Sequence, residues 1–174
     1  MSSRDTLWWI AYIVLSLWIT RSDYRMRRVP NGLLLIAAAG QVLWLAWCSL
    51  SGRPPLLGAQ GWSDALSAFG LGWCFVVCWK LRVMGAGDVK FLAVQGLLLG
   101  VRPWLIMLLL GTVAAGAHAL AQVCSSLRGS TPGHRRPGAP YAAYLALAGI
   151  ASVVFMPSSL PWCSWCSLAW STRW

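Results

Sequence analysis

Glutamate is absent from this chain, and its only acids are Asp5, Asp23, Asp64 and Asp88. That absence excludes a His-Glu-x-x-His zinc hydrolase outright. Charge of either sign is scarce: 10% of the 174 residues are charged and 58% are hydrophobic, whereas charged residues make up about one quarter of an ordinary soluble domain. The chain is therefore read as an all-α integral membrane protein. Its formal net charge of +10 does not point to nucleic acid. The cations lie in short clusters between long uncharged runs, as they do in the cytoplasmic loops of membrane proteins, so no nucleic acid partner is expected.

Cysteine chemistry is equally limited. Cys74, Cys78 and Cys124 lie inside apolar stretches and Cys48 ends another, settings in which a thiol behaves as a small hydrophobe. Cys163 and Cys166 form a single C-x-x-C with no second pair and no nearby His, too few donors for a zinc site. Cys74 and Cys78 share a helix face but lack further donors. No metal and no organic cofactor is expected.

Long apolar runs supply what the charges do not. Residues 32–52, 65–79, 103–127 and 137–172 carry no charge, and Leu7–Thr20 and Phe91–Val101 are shorter apolar runs. About 20 apolar residues cross a bilayer, and shorter runs cross where flanking groups snorkel or the bilayer thins. The reading is a single polytopic domain over residues 1–174, with about six transmembrane helices near 6–20, 32–51, 63–80, 88–101, 103–125 and 140–157. A Trp-rich interfacial tail follows at 158–174. The first run ends in Trp18-Ile19-Thr20-Arg21 without a small-x-small cleavage site, so it reads as a retained anchor.

Six crossings sort the cations. One face receives Arg21, Arg25, Arg27, Arg28, Lys80, Arg82, Lys90, Arg128, Arg135 and Arg136; the other receives Arg4, Arg53, Arg102 and Arg173. By the positive-inside rule the first face is cytoplasmic and the N-terminus lies outside. The same sorting sends Asp5 and Asp64 outward and Asp23 and Asp88 inward.

Asp23 and Asp88 are 65 positions apart yet arrive at one membrane face, each where a helix meets the inner interface. Two carboxylates within a few ångströms cannot both ionise cheaply, so such a pair shares a proton and titrates as a unit. One member takes a proton from water as it attacks a peptide carbonyl, and the other stabilises the oxyanion. Simpler readings exist for each residue alone. Asp23 sits among Arg21, Arg25, Arg27 and Arg28 and offsets their charge; Asp88 follows Gly85-Ala86-Gly87 and resembles a helix N-cap.

Met84-Gly85-Ala86-Gly87-Asp88-Val89-Lys90 heads an apolar run, Asp23 is followed seven positions later by Pro30-Asn31, and Pro140-Tyr141 opens the last helix. Together these residues resemble the prepilin leader peptidases, polytopic Gly-x-Gly-Asp aspartyl proteases. The resemblance implies that Asp23 and Asp88 form the catalytic pair and that Gly85 and Gly87 permit close backbone approach. It gives Lys90 a part in holding Asp88 and makes Pro30, Asn31, Pro140 and Tyr141 supporting residues. It further implies removal of the short basic leader from type IV prepilins or pseudopilins, at the cytoplasmic face of the bacterial inner membrane.

Larger members of the family carry an N-terminal cytoplasmic region with two C-x-x-C pairs and also methylate the new N-terminus; without such a region, and with its single C-x-x-C at the other end, the chain resembles the short, peptidase-only form used for Tad or Flp-type pili or by small secretion systems. Preflagellin peptidases are the nearest neighbours of this pattern, and presenilin-type proteases share only Gly-x-Gly-Asp. Two readings from other classes stand beside the peptidase: a small ion-coupled transporter using Asp23 and Asp88, and a noncatalytic assembly subunit of a pilus or secretion machine. His118, inside the fifth expected helix, reads as a satisfied packing residue.

Overall fold

The computed structural model describes residues 3–26, 30–52, 58–82, 84–127 and 141–155, and these are helical apart from short connections. The helices are α1 Ser3–Met26, α2 Asn31–Leu50, α3 Trp62–Cys74, α4 Val76–Lys80, α5 Ala86–Leu99, α6 Val101–Leu127 and α7 Tyr141–Phe155. The C-terminal tail with its C-x-x-C and Trp cluster, the basic loop around His134, and Pro140 lie outside the described residues.

α1 runs six residues beyond the end expected from its apolar run. Charged side chains snorkel, and a basic residue such as Arg25 in the last turn is favoured by the helix dipole. Hydropathy therefore ends this helix too early, and Asp23 belongs to α1 itself. Between α3 and α4 the interruption is a single residue, Phe75, which keeps right-handed helical angles, so Trp62–Lys80 is long and apolar enough to cross a membrane as one segment. Asn31–Leu50 and Val101–Ser125 qualify as well.

α5 occupies the centre. Every residue from Phe91 to Leu99 is buried, and α2, α3, α4, α6 and α7 all pack against it. Small residues make a close seam between α3 and α5. A Cβ on Gly72 would come within 2.5 Å of the Ala93 Cα, and one on Gly96 would strike the Ala68 carbonyl. In lipid no hydrophobic force drives helices together, so close backbone approach through Gly and Ala supplies the van der Waals contact instead.

Polar links pin the bundle inside its apolar surroundings. Tyr12 Oη donates to Gln95 Oε1 at 3.0 Å, joining α1 to α5. Trp104 Nε1 donates to the Leu92 carbonyl at 2.9 Å, and His118 bridges α6 and α7 through Tyr144 while also meeting Gln122 at 2.7 Å. The outward faces are apolar: Leu35, Ile36, Leu43 and Leu50 of α2 and Leu109, Val113 and Leu120 of α6 are exposed. Water does not tolerate so continuous an apolar surface; a bilayer does, and the protein is an all-α membrane protein.

One end of the bundle is closed by Asp64. Its Oδ1 accepts the Val101 N–H at 3.0 Å and its Oδ2 accepts the Gln60 N–H at 3.0 Å. Gly100, at φ +77°, makes the turn from α5 to α6 directly against that carboxylate. Asp64 is thus a structural residue with two backbone partners.

Candidate active site

At the opposite end, the last turns of α1 meet the first turn of α7. Ile19 is fully buried there, and one turn further on Asp23 is only 7% exposed. The reason is local and electrostatic. The first amides of any helix lack intrahelical acceptors, and a carboxylate is favoured at that end. Asp23 Oδ2 accepts the Ala143 N–H at 3.0 Å, so a side chain of α1 caps α7.

Asp88 is the third residue of α5. Gly85 precedes the helix at φ −70° and ψ 145°, and its carbonyl accepts the Asp88 and Val89 N–H groups at 3.1 and 3.3 Å. A Cβ on Gly85 would stand 3.2 Å from Asp88 Oδ2, whereas one on Gly87 would meet nothing within 4 Å. The two glycines therefore differ. Gly85 leaves room for the Asp88 carboxylate, and Gly87 borders open space.

These elements bring three sequence-predicted residues into one neighbourhood. Asp23 lies within electrostatic reach of Asp88, and Asp88 within reach of Tyr141, the first residue of α7. Cys78, on α4, lies near Tyr141 as well. Sequence reasoning passed over Cys78 as packing; its place on the helix just before the Gly-x-Gly-Asp turn was the available signal. The Ala143 amide was beyond such reasoning, because a backbone N–H carries no residue signature.

Pro30 and Asn31 start α2. Pro30 is extended, at φ −67° and ψ 122°, and its carbonyl accepts the Leu33 and Leu34 N–H groups at 3.1 and 3.3 Å. Lys90 Nζ reaches Asn31 Oδ1 at 3.5 Å, so the polar contact of this lysine ties α5 to α2 rather than holding Asp88. Pro140 is outside the described residues. Among those described, no three His, Cys, Asp or Glu side chains stand close enough to share a metal ion. The arrangement offers two carboxylates from different helices, a phenol and a free rim beside Gly87, which is a set suited to proton transfer around an extended peptide.

The family model for type IV leader peptidases matches residues 10–120. This protein is a membrane protein of a peptidase class, and it belongs to the type IV leader peptidase family. The matched region includes Asp23 and Asp88 and ends before Tyr141. No curated protein and no solved structure matches the chain.

Proposed function

We propose that this protein is an aspartyl endopeptidase of the bacterial inner membrane, crossing it several times with its N-terminus outside. It removes the short basic leader from type IV prepilins or pseudopilins at the cytoplasmic face. One observation carries the reading: Asp23 and Asp88, far apart in the chain, come within electrostatic reach of each other at one end of the bundle. Family membership supports the substrate class, and the sorting by sequence of ten of the fourteen Lys and Arg to the same face as Asp23 and Asp88 supports its cytoplasmic side.

In this mechanism the dyad holds one proton between its two carboxyl groups. The ionised member removes a proton from water as the water oxygen attacks the scissile carbonyl carbon, and the protonated member gives its proton to the carbonyl oxygen. Collapse of the gem-diol intermediate breaks the C–N bond: the departing amine takes the proton gained from water, and one gem-diol hydroxyl returns its proton to the other carboxylate as the C=O re-forms, which restores the singly protonated dyad. The Ala143 N–H occupies one lone pair of Asp23 Oδ2, which fixes that carboxylate while leaving Oδ1 for the water. Gly87 admits the substrate backbone beside Asp88, and Tyr141 offers a hydroxyl donor near it.

Co-expression with a tagged prepilin tests the proposal. Wild type should shorten the prepilin, with the product N-terminus marking one bond, while Asp23→Asn and Asp88→Asn should leave it uncut. Failure of the wild type to cut a panel of prepilins, with insertion verified, would overturn the substrate class and favour the transporter or assembly readings.

A further inference from the structure

A polar cluster between α6 and α7 has no part in the mechanism above. His118 Nδ1 meets the Tyr144 hydroxyl, and Nε2 meets Gln122 Nε2 at 2.7 Å. An amide nitrogen only donates, so Nε2 accepts and the ring proton sits on Nδ1, from which it is donated to Tyr144 Oη. Gln122, one turn away on α6, thus sets the tautomer that points at α7. The His118 and Tyr144 rings also stand edge to face, with centroids 5.6 Å apart.

Tyr144 belongs to the turn of α7 that serves the dyad. It follows Ala143, whose N–H is accepted by Asp23, and lies three residues after Tyr141, which is near Asp88. This turn has few side chains to interlock with its neighbours. Ala142, Ala143 and Ala146 are buried, and a Cβ on Gly111 of α6 would stand 3.1 Å from the Leu145 Cα. Such a smooth contact sets the distance between helices better than their rotation, which needs ridges seated in grooves. A phenol hydroxyl lies at the outer radius of a helix, about 5–6 Å from its axis, so turning α7 by about 10° carries it about 1 Å. That is twice the range of about 0.5 Å over which such a bond holds. The tether from His118 therefore fixes the rotation that the alanines leave loose.

We propose that His118 is a positioning residue of the peptidase, acting through Tyr144 to fix the rotation of α7 and with it the aim of the Ala143 N–H at Asp23. The catalytic consequence rests on the peptidase reading; the placement of Ala143 does not.

The test joins kinetics to amide exchange in the full-length protein in detergent micelles. Ala143 is the third residue of α7, so its N–H has no acceptor within the helix, and its protection, read by NMR with ¹⁵N-alanine, reports the bond to Asp23. In His118→Ala that exchange should quicken at least about tenfold while buried Ala93 of α5 stays protected. Prepilin cleavage per folded molecule should lose about tenfold in kcat, with KM nearly unchanged, as misplacement of a reacting group requires. Tyr144→Phe should match His118→Ala, and the double variant should lose no more than either. The amide nitrogen of Asn takes the place of Nδ1 and that of Gln the place of Nε2, so His118→Asn should restore both readouts and His118→Gln neither. Asp64→Ala, which weakens the opposite end of the bundle, should change neither readout. Unchanged Ala143 exchange in His118→Ala and Tyr144→Phe would overturn the proposal, as would equal rescue by Asn and Gln. Faster exchange with wild-type kcat would confine His118 to stability and overturn it too. A wild type that cuts no prepilin would instead strike the peptidase reading, and the exchange would still decide whether His118 holds Ala143 to Asp23.

Discussion

Asp23 Oδ2 accepts the backbone N–H of Ala143 across 120 positions of sequence, at 3.0 Å and away from solvent. The bond joins the end of one helix to the start of another and fixes one carboxylate of the proposed dyad. Asp23 therefore caps α7, and in the proposed mechanism it has a second, separable role in moving a proton. Asp23→Asn retains an acceptor oxygen, so thermal unfolding in detergent should stay close to wild type while prepilin cleavage falls by at least about 10²-fold. Asp23→Ala should lose cleavage and also about 1–3 kcal/mol of stability, the cost of an orphaned buried N–H. Equal stability of the two variants would show that the cap contributes nothing.

Asp88 stands half-buried beside Gly85, whose backbone N–H its carboxylate accepts; an Asn there keeps an acceptor oxygen. Asp88→Asn should abolish cleavage and leave the melting temperature nearly unchanged. A double variant with Asp23→Asn should cut no worse than either single one, because groups that act as a unit are non-additive. Additive losses in a single-turnover assay would show that the two carboxylates work separately.

The glycines flanking Ala86 should respond differently to a methyl group. Gly87→Ala meets nothing within 4 Å, so the fold should be untouched while cleavage drops through exclusion of substrate, seen mainly as a raised KM. Gly85→Ala presses on the Asp88 carboxylate and should lower kcat instead. A Gly87→Ala enzyme with wild-type KM would remove that residue from the substrate path.

At the far end, Gly100→Ala should destabilise by about 1–3 kcal/mol from its left-handed backbone alone, with more from the clash against Asp64. Asp64→Ala should destabilise to a similar degree by freeing the Val101 and Gln60 amides. Both variants should retain cleavage per folded molecule, which a melting curve paired with an activity assay at low temperature will check. Loss of cleavage in fully folded Asp64→Ala would place this carboxylate in the reaction.

Cys78 is partly buried, and its thiol lies within electrostatic reach of Tyr141. A maleimide on Cys78 should block cleavage, and Cys78→Ser should resist the reagent even though Cys74 and Cys124 stay exposed. Unchanged sensitivity of Cys78→Ser would put the reactive thiol elsewhere.

The sequence by itself determined that the protein is built of membrane helices, because length and hydropathy report directly on the cost of placing a residue in hydrocarbon. It also marked Asp23 and Asp88, since acids are so few and the Gly-Ala-Gly-Asp turn is local. It ended α1 too early and held no sign of the two amides that Asp64 accepts, because a helix dipole and a backbone amide carry no side-chain signature. Only the tertiary structure decided that α7 supplies the Ala143 amide to Asp23 and that Lys90 meets Asn31. These are choices of rotation and register between packed helices. They depend on where Gly and Ala let backbones touch, which no single segment of the chain records.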